Sequence, residues 1–166
     1  MEKLIIDYPK FSKLTAEICQ GIAKTGWKPD YIIGISRGGL TPAIALSYWF
    51  SVACKPLTVS LRDYPVQESN REMARDAAAG KNILIVDDIN DSGATLDWIV
   101  EDWHNTFSDV DQEMWSKIWN NNVKFATLVD NLSSDFSKKV DFCGLEIDKS
   151  EKDVWVEFPW ENWWAQ

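Results

Sequence analysis

No G-x-x-x-x-G-K-[ST] loop occurs anywhere in the chain, and that absence removes Walker-type nucleotide binding. Cysteine is scarce: Cys19, Cys54 and Cys143 are widely spaced and odd in number, which suits neither a zinc cluster nor a disulfide framework. Buried or inert thiols are expected. The start has no cationic stretch leading into an apolar one, and no apolar run is long enough to span a bilayer, so a cytoplasmic protein without membrane contact is expected. Positive charge is in short supply, with 17 Lys and Arg against 26 Asp and Glu and a formal net charge of −9. Nonspecific binding to nucleic acid or anionic membranes, which relies on spread positive charge, is therefore disfavoured. The single histidine, His104, has no catalytic partner near it in sequence and reads as a surface residue.

What is present points elsewhere. The 166 residues, 45% of them hydrophobic, suffice for one domain spanning 1–166 with a real core. All four arginines (Arg37, Arg62, Arg71, Arg75) fall between positions 37 and 75. The planar guanidinium fork matches phosphate oxygens, so this clustering suggests a local electropositive site on an acidic protein. Ten tryptophans are many for this length, and Trp155, Trp160, Trp163 and Trp164 crowd the end of the chain, where most are expected in core or interface.

The most informative stretch, ILIVDDINDSGAT, runs from Ile83 to Thr95. Ile83 to Val86 show no polar alternation, as expected of a strand buried on both faces of a parallel sheet, and the run stops at Asp87 and Asp88. Beyond Asp91-Ser92-Gly93-Ala94-Thr95, apolar Leu96, Trp98, Ile99 and Trp103 recur at helical spacing. Strand, tight loop and helix start build an anion site, because N–H groups and the helix dipole converge on one concavity and Ser92 and Thr95 add hydroxyls. The two carboxylates at the strand end sit where open α/β sheets bind ligands, suited to sugar hydroxyls or a hard cation such as Mg²⁺.

A second unit of the same kind comes earlier. Tyr31 to Ile35 reads as a short strand, Ser36-Arg37-Gly38-Gly39 as a glycine-rich loop, and Leu40 to Ala53 as a long helix with Pro42 in its first turn. Pro9 to Lys24 forms an amphipathic helix through Phe11, Leu14, Ile18 and Ile22, and Pro56 to Leu61 a strand. Arg62 to Ala79 has no sustained hydrophobic face and reads as a mobile loop, or as an excursion that turns helical near Met73 to Ala79. Val110, Met114, Ile118 and Trp119 mark a short helix within a segment of about 106–122, serving either a dimer contact or the padding of one sheet face. Val123 to Val129 is a further strand, ending at Asp130 and Asn131.

The stretch from Ile83 to Thr95 resembles the phosphoribosyl-pyrophosphate (PRPP) signature of type I phosphoribosyltransferases. ISRGGLTPA resembles the pyrophosphate loop of the short xanthine-guanine and hypoxanthine purine enzymes, and Val154 to Glu161 resembles their last strand. The resemblance runs from about Tyr31 to Trp160 and implies an α/β fold, a parallel sheet flanked by helices with a small hood from the chain ends. It implies transfer of the phosphoribosyl group from PRPP to a nucleobase, most simply a 6-oxopurine, giving a nucleoside monophosphate and pyrophosphate. Ser36, Arg37, Gly38 and Gly39 would hold the pyrophosphate, Asp87 and Asp88 the ribose hydroxyls and Mg²⁺, and Asp91, Ser92, Gly93, Ala94 and Thr95 the 5′-phosphate. Asp91 would handle the N7 proton, and Arg71, at the tip of the mobile loop, would arrive on closure. Trp155 and Val156 would pack on the base. A lysine commonly follows the Val123–Val129 strand in the family and meets the purine 6-oxo group; here Asn131 stands there, which predicts softer discrimination unless Lys138 or Lys139 reaches in. The family also implies a homo-oligomer, dimer or tetramer. A non-catalytic PRPP or nucleotide sensor on the same scaffold is the alternative, and a partner-binding protein exposing its tryptophan-rich tail leaves both glycine loops without an account.

Overall fold

A computed structural model describes residues 1–62, 64–107 and 111–165. Its main sheet has six strands in the order β4-β3-β2-β5-β6-β7, all neighbours parallel except the antiparallel pair β3/β4. The strands are β2 (Tyr31–Ser36), β3 (Ala53–Ser60), β4 (Val66–Gln67), β5 (Ile83–Asn90), β6 (Val123–Asn131) and β7 (Phe142–Ile147). A two-stranded parallel sheet of β1 (Glu2–Ile5) and β8 (Val154–Glu157) joins the chain ends as the expected hood.

Alternation along the central strands sorts side chains into two cores. Ile33, Ile35 and Ile85 point to one face, where they meet Ile99 and Trp103 of α4 (Ala94–Thr106) and Trp115 of α5 (Gln112–Ser116). Ile32, Leu84 and Leu128 point to the other, covered by Leu14, Ile18 and Ile22 of α1 (Tyr8–Thr25) and by Ala43 and Leu46 of α2 (Leu40–Phe50). Helix α1 starts where the Asp7 carboxylate accepts from Lys10 N and stops at Gly26, whose φ of 75° is the left-handed cap. From β2 the chain moves outward to β3, whereas from β5 it moves the opposite way to β6. The carboxyl ends of β2 and β5 therefore open a crevice at a topological switch point.

Several expectations need correcting. Helix α2 ends at Phe50, with Ser51 at φ 54°, and Ala53 already belongs to β3. Strand β5 does not stop at Asp87 but runs to Asn90, because Asp87, Ile89 and Asn90 keep parallel partners on β6. Within 62–79 lie a hairpin arm, β4, and a helix, α3 (Arg71–Ala78), rather than a continuous loop. Asn70 caps α3 by accepting from Met73 N, and Met73, Ala74 and Ala77 are buried. Of the two roles proposed for the helix within 106–122, the fold shows padding of a sheet face, with Trp115 fully buried; Val110, counted toward that helix, lies outside the described residues. Among the described residues no helix is long and apolar enough to cross a membrane.

Candidate active site

The β2/β5 crevice is a cleft of about 340 Å³ between the main sheet and the hood. Its first wall is the β2–α2 loop. A Cβ on Gly38 would lie 2.0 Å from Asp88 Oδ2, and one on Gly39 would lie 2.4 Å from Val86 O, so both glycines are required by close approach to β5. The Ser36–Arg37 peptide is cis. Gly39 N–H is not available to a ligand as expected, because it donates to Ile35 O at 2.9 Å; Ser36, Arg37 and Gly38 line the cleft.

Asp87 and Asp88 form the floor. Each gives one carboxylate oxygen to a backbone N–H, Asp88 N to Asp87 Oδ1 at 2.9 Å and Ile89 N to Asp88 Oδ1 at 2.8 Å. Among the described residues no cation pairs with either. Burial pushes both carboxyls above the usual carboxylate range, and at Asp87 the neighbouring Asp88 charge adds to the effect. Glu161, hydrogen-bonded to Phe158 N at 3.0 Å, brings a third carboxylate to the cleft and is itself raised by burial.

The third wall is the turn from β5 into α4. Gly93 stands at φ 90° with Phe136 pressed against it, so no side chain fits there. No side chain caps α4 at Gly93, and the helix's first turn, with Ser92, Ala94 and Thr95, faces the cleft. Such an end attracts an anion. The segment after β6 buttresses this turn: Asp135 N donates to Ser92 O at 3.0 Å, and Ser137 N and Oγ donate to the Asp97 carboxylate. Asp91 stands at the mouth, with Arg62 Nη2 3.4 Å from Oδ2 and Lys149 Nζ 2.8 Å from Oδ1. From the hood, Trp155, 45% exposed, and buried Val156 close the far side.

The structure thus brings together Ser36, Arg37, Gly38, Asp87, Asp88, Asp91 to Thr95, Trp155 and Val156. Three expected residues do not line the cleft: Gly39, turned against Val86 and Ile35, and two that lie elsewhere. Arg71 occupies the first turn of α3, its guanidinium 4.9 Å from the Phe107 ring centre, and does not line the cleft. Asn131 is 5% exposed and does not line the cleft; its amide is engaged by protein atoms, Nδ2 donating to Asp91 O and Oδ1 accepting from Lys149 N. Lys138 borders a separate groove beside His104, and Lys139 does not line the cleft. Lys149, Glu161 and Asn90 line the cleft beyond the expected residues, and Arg62, from the arginine cluster, joins them. Asn90 Nδ2 donates to Asp130 Oδ1 at 2.8 Å and to Ser134 Oγ at 2.9 Å, while its Oδ1 is buried without a partner.

A family model described as Phosphoribosyl transferase domain matches residues 3–163. The chain is 28% identical over 148 residues to the xanthine-guanine phosphoribosyltransferase of Cereibacter sphaeroides, covering 86% of this chain and 74% of that protein. The fold matches the purine phosphoribosyltransferase of Pyrococcus horikoshii with a TM-score of 0.67 at 24% identity, over 98% of this chain and 96% of the other. It matches the xanthine-guanine-hypoxanthine phosphoribosyltransferase of Helicobacter pylori with a TM-score of 0.66 at 20% identity, over 99% and 97%. With both glycine loops, the acidic pair and the hood inside the matched span, the chain belongs to the phosphoribosyltransferase family.

Proposed function

We propose that the protein transfers the 5-phosphoribosyl group of PRPP to N9 of a 6-oxopurine (guanine, hypoxanthine or xanthine) and releases pyrophosphate, a purine-salvage reaction. The observation that carries this reading is the cleft's layout: an arginine-and-glycine loop, a carboxylate pair and a helix N-terminus stand along one crevice under an aromatic hood. These match the diphosphate, ribose, 5′-phosphate and base of the reactants. The curated relatives named for xanthine, guanine and hypoxanthine support a purine acceptor and favour an enzyme over a sensor.

In the step, the bond from C1′ to the pyrophosphate oxygen breaks, the N9–C1′ bond forms and the N7 proton leaves to Asp91 Oδ. Charge grows on the departing pyrophosphate and on C1′. Arg37 meets the first, and Asp87 and Asp88 hold the ribose hydroxyls through their open oxygens, beside the second. Trp155 and Val156 exclude water from the base face. A buried carboxylate and its half-buried neighbour, without a cation beside them, fit a hard divalent ion such as Mg²⁺. Among the described residues no three His, Cys, Asp or Glu assemble around one point, so substrate oxygens and water would complete its shell. When bound, Mg²⁺ supplies neutralisation of the leaving group's charge. Arg71 sits over Phe107, outside the cleft, and would meet the pyrophosphate only on closure of its segment.

A pyrophosphate-release assay with PRPP, Mg²⁺ and free bases tests the reading. Release is expected with guanine, hypoxanthine or xanthine; release with no base, or with pyrimidines alone, overturns it. We also infer a homo-oligomer, a dimer or tetramer, from the outward side of α2, where Ile44, Tyr48 and Trp49 are 48%, 83% and 56% exposed.

A further inference from the structure

Strands β5, β6 and β7 lie side by side, so their carboxyl ends deliver Asp91, Asn131 and Lys149 to one place. The middle residue ties the outer two together. Asn131 Nδ2 donates to Asp91 O at 2.9 Å, and Asn131 Oδ1 accepts from Lys149 N at 3.0 Å. Ser133 also donates to that oxygen, through Oγ at 2.9 Å. The Lys149 ammonium then reaches back to Asp91 Oδ1 at 2.8 Å, with its side chain only 20% exposed. A long, flexible cation is thus anchored at its backbone, sheltered along its stem and held beside Asp91 in a cleft that Trp155 also lines.

We propose that Lys149 is the specificity-determining residue that donates to the oxo group of the base, and that Asn131 is its positioning residue. The inference rests on the transfer reading above. A purine whose N9 is to attack C1′ enters with its proton on N7. A 6-oxopurine then presents an N–H donor and a carbonyl acceptor side by side, and Asp91 and Lys149, adjacent in the cleft, supply an acceptor and a donor in the same order. On entry, the carboxylate and the ammonium each exchange their mutual contact for an atom of the base, so neither charge is left buried and unpaired. A 6-aminopurine presents two donors. An ammonium has three donors and no acceptor, so it meets the amino group only as repulsion.

The test compares kcat/KM for hypoxanthine and adenine at saturating PRPP in the wild type, Lys149→Met and Asn131→Ala. The wild type is expected to prefer hypoxanthine, and Lys149→Met to lose about ten- to hundredfold of that preference, the range a charge-assisted hydrogen bond commands. Asn131→Ala should erode the same ratio, whereas a merely structural role would lower both bases together. The KM for PRPP, expected to stay within about threefold, confirms that the variants are folded. An unchanged ratio in Lys149→Met, or a wild type indifferent to the 6-substituent, overturns the assignment. If the wild type turns over no base, the transfer reading falls. Lys149 is then judged by nucleotide affinity: the preference for inosine over adenosine monophosphate must drop in Lys149→Met, and equal preferences in both proteins overturn the assignment.

Discussion

Arg37 stands at the front of a wall that its two following glycines let the backbone build, pressed against Asp88 and Val86 with no room for a Cβ. Its exposed guanidinium is therefore the main positive charge on that side of the cleft. Arg37→Ala should weaken pyrophosphate and PRPP about tenfold or more, the usual scale of a hydrogen bond to a charged group, and change nucleoside monophosphate affinity by less than about threefold. Titration calorimetry with the three ligands checks this, and equal losses for all of them would remove the loop from the diphosphate. Asn131 shows the limit of reading single residues. Its place at the carboxyl end of β6 was legible, but an amide carries both donor and acceptor, so backbone groups at Asp91 and Lys149 could engage both ends. A lysine there has no acceptor and could not bridge the two in that way. Lys149 gave no sequence signal, because it follows β7, a strand of intermediate burial with a glycine at its centre.

Elements were legible where apolar runs were continuous. Strands β2 and β5 are buried along most of their length, and the segments at their carboxyl ends hold the cleft residues expected there apart from Gly39, although β5 runs three residues past Asp87. Helix α3 was missed as the leading reading because its buried face consists of Met73, Ala74 and Ala77, two of them too small to register as a stripe. Helix α5 illustrates how a short element is held. Its Trp115 stacks on His104 of α4 at 5.2 Å, and Trp119 Nε1, just beyond it, donates to His104 Nε2 at 2.8 Å. His104 is thus a half-buried latch, not the surface residue expected. That bond needs Nε2 unprotonated, and burial, followed by the nearby Lys138 charge, lowers the histidine below its ordinary value. A folded state that binds its proton less readily than the unfolded chain is stabilised above the unfolded value, about 6.5, and loses that contribution as pH falls below it. Between pH 7.5 and pH 5, Tm should fall further in the wild type than in His104→Gln, which keeps an acceptor but does not titrate. Thermal melts in matched buffers measure the difference, and parallel curves would mean that the latch does not titrate.

For the whole molecule, the question is whether a chain of net charge −9 can associate with its own copies. Like charge opposes approach over most of the surface, more so at low salt. Helix α2 is the exception, since Leu40 to Phe50 contains no charged residue and is apolar almost all round, although only its inner side faces a core. A helix with that pattern is normally covered. Burying one large apolar side chain contributes roughly 1.5–3 kcal/mol, so Ile44, Tyr48 and Trp49 paired across a two-fold axis can outweigh the repulsion. Light scattering at micromolar concentration should therefore give at least twice the chain mass for the wild type. Tyr48→Glu, at a position 83% exposed and remote from the cleft lining, should fold normally and return the chain mass, because it sets two carboxylates against each other at the seam. Higher salt should restore part of the association by screening that pair. A monomeric wild type would leave the apolar side of α2 without this role, and an oligomer that survives Tyr48→Glu unchanged would place the contact on another face.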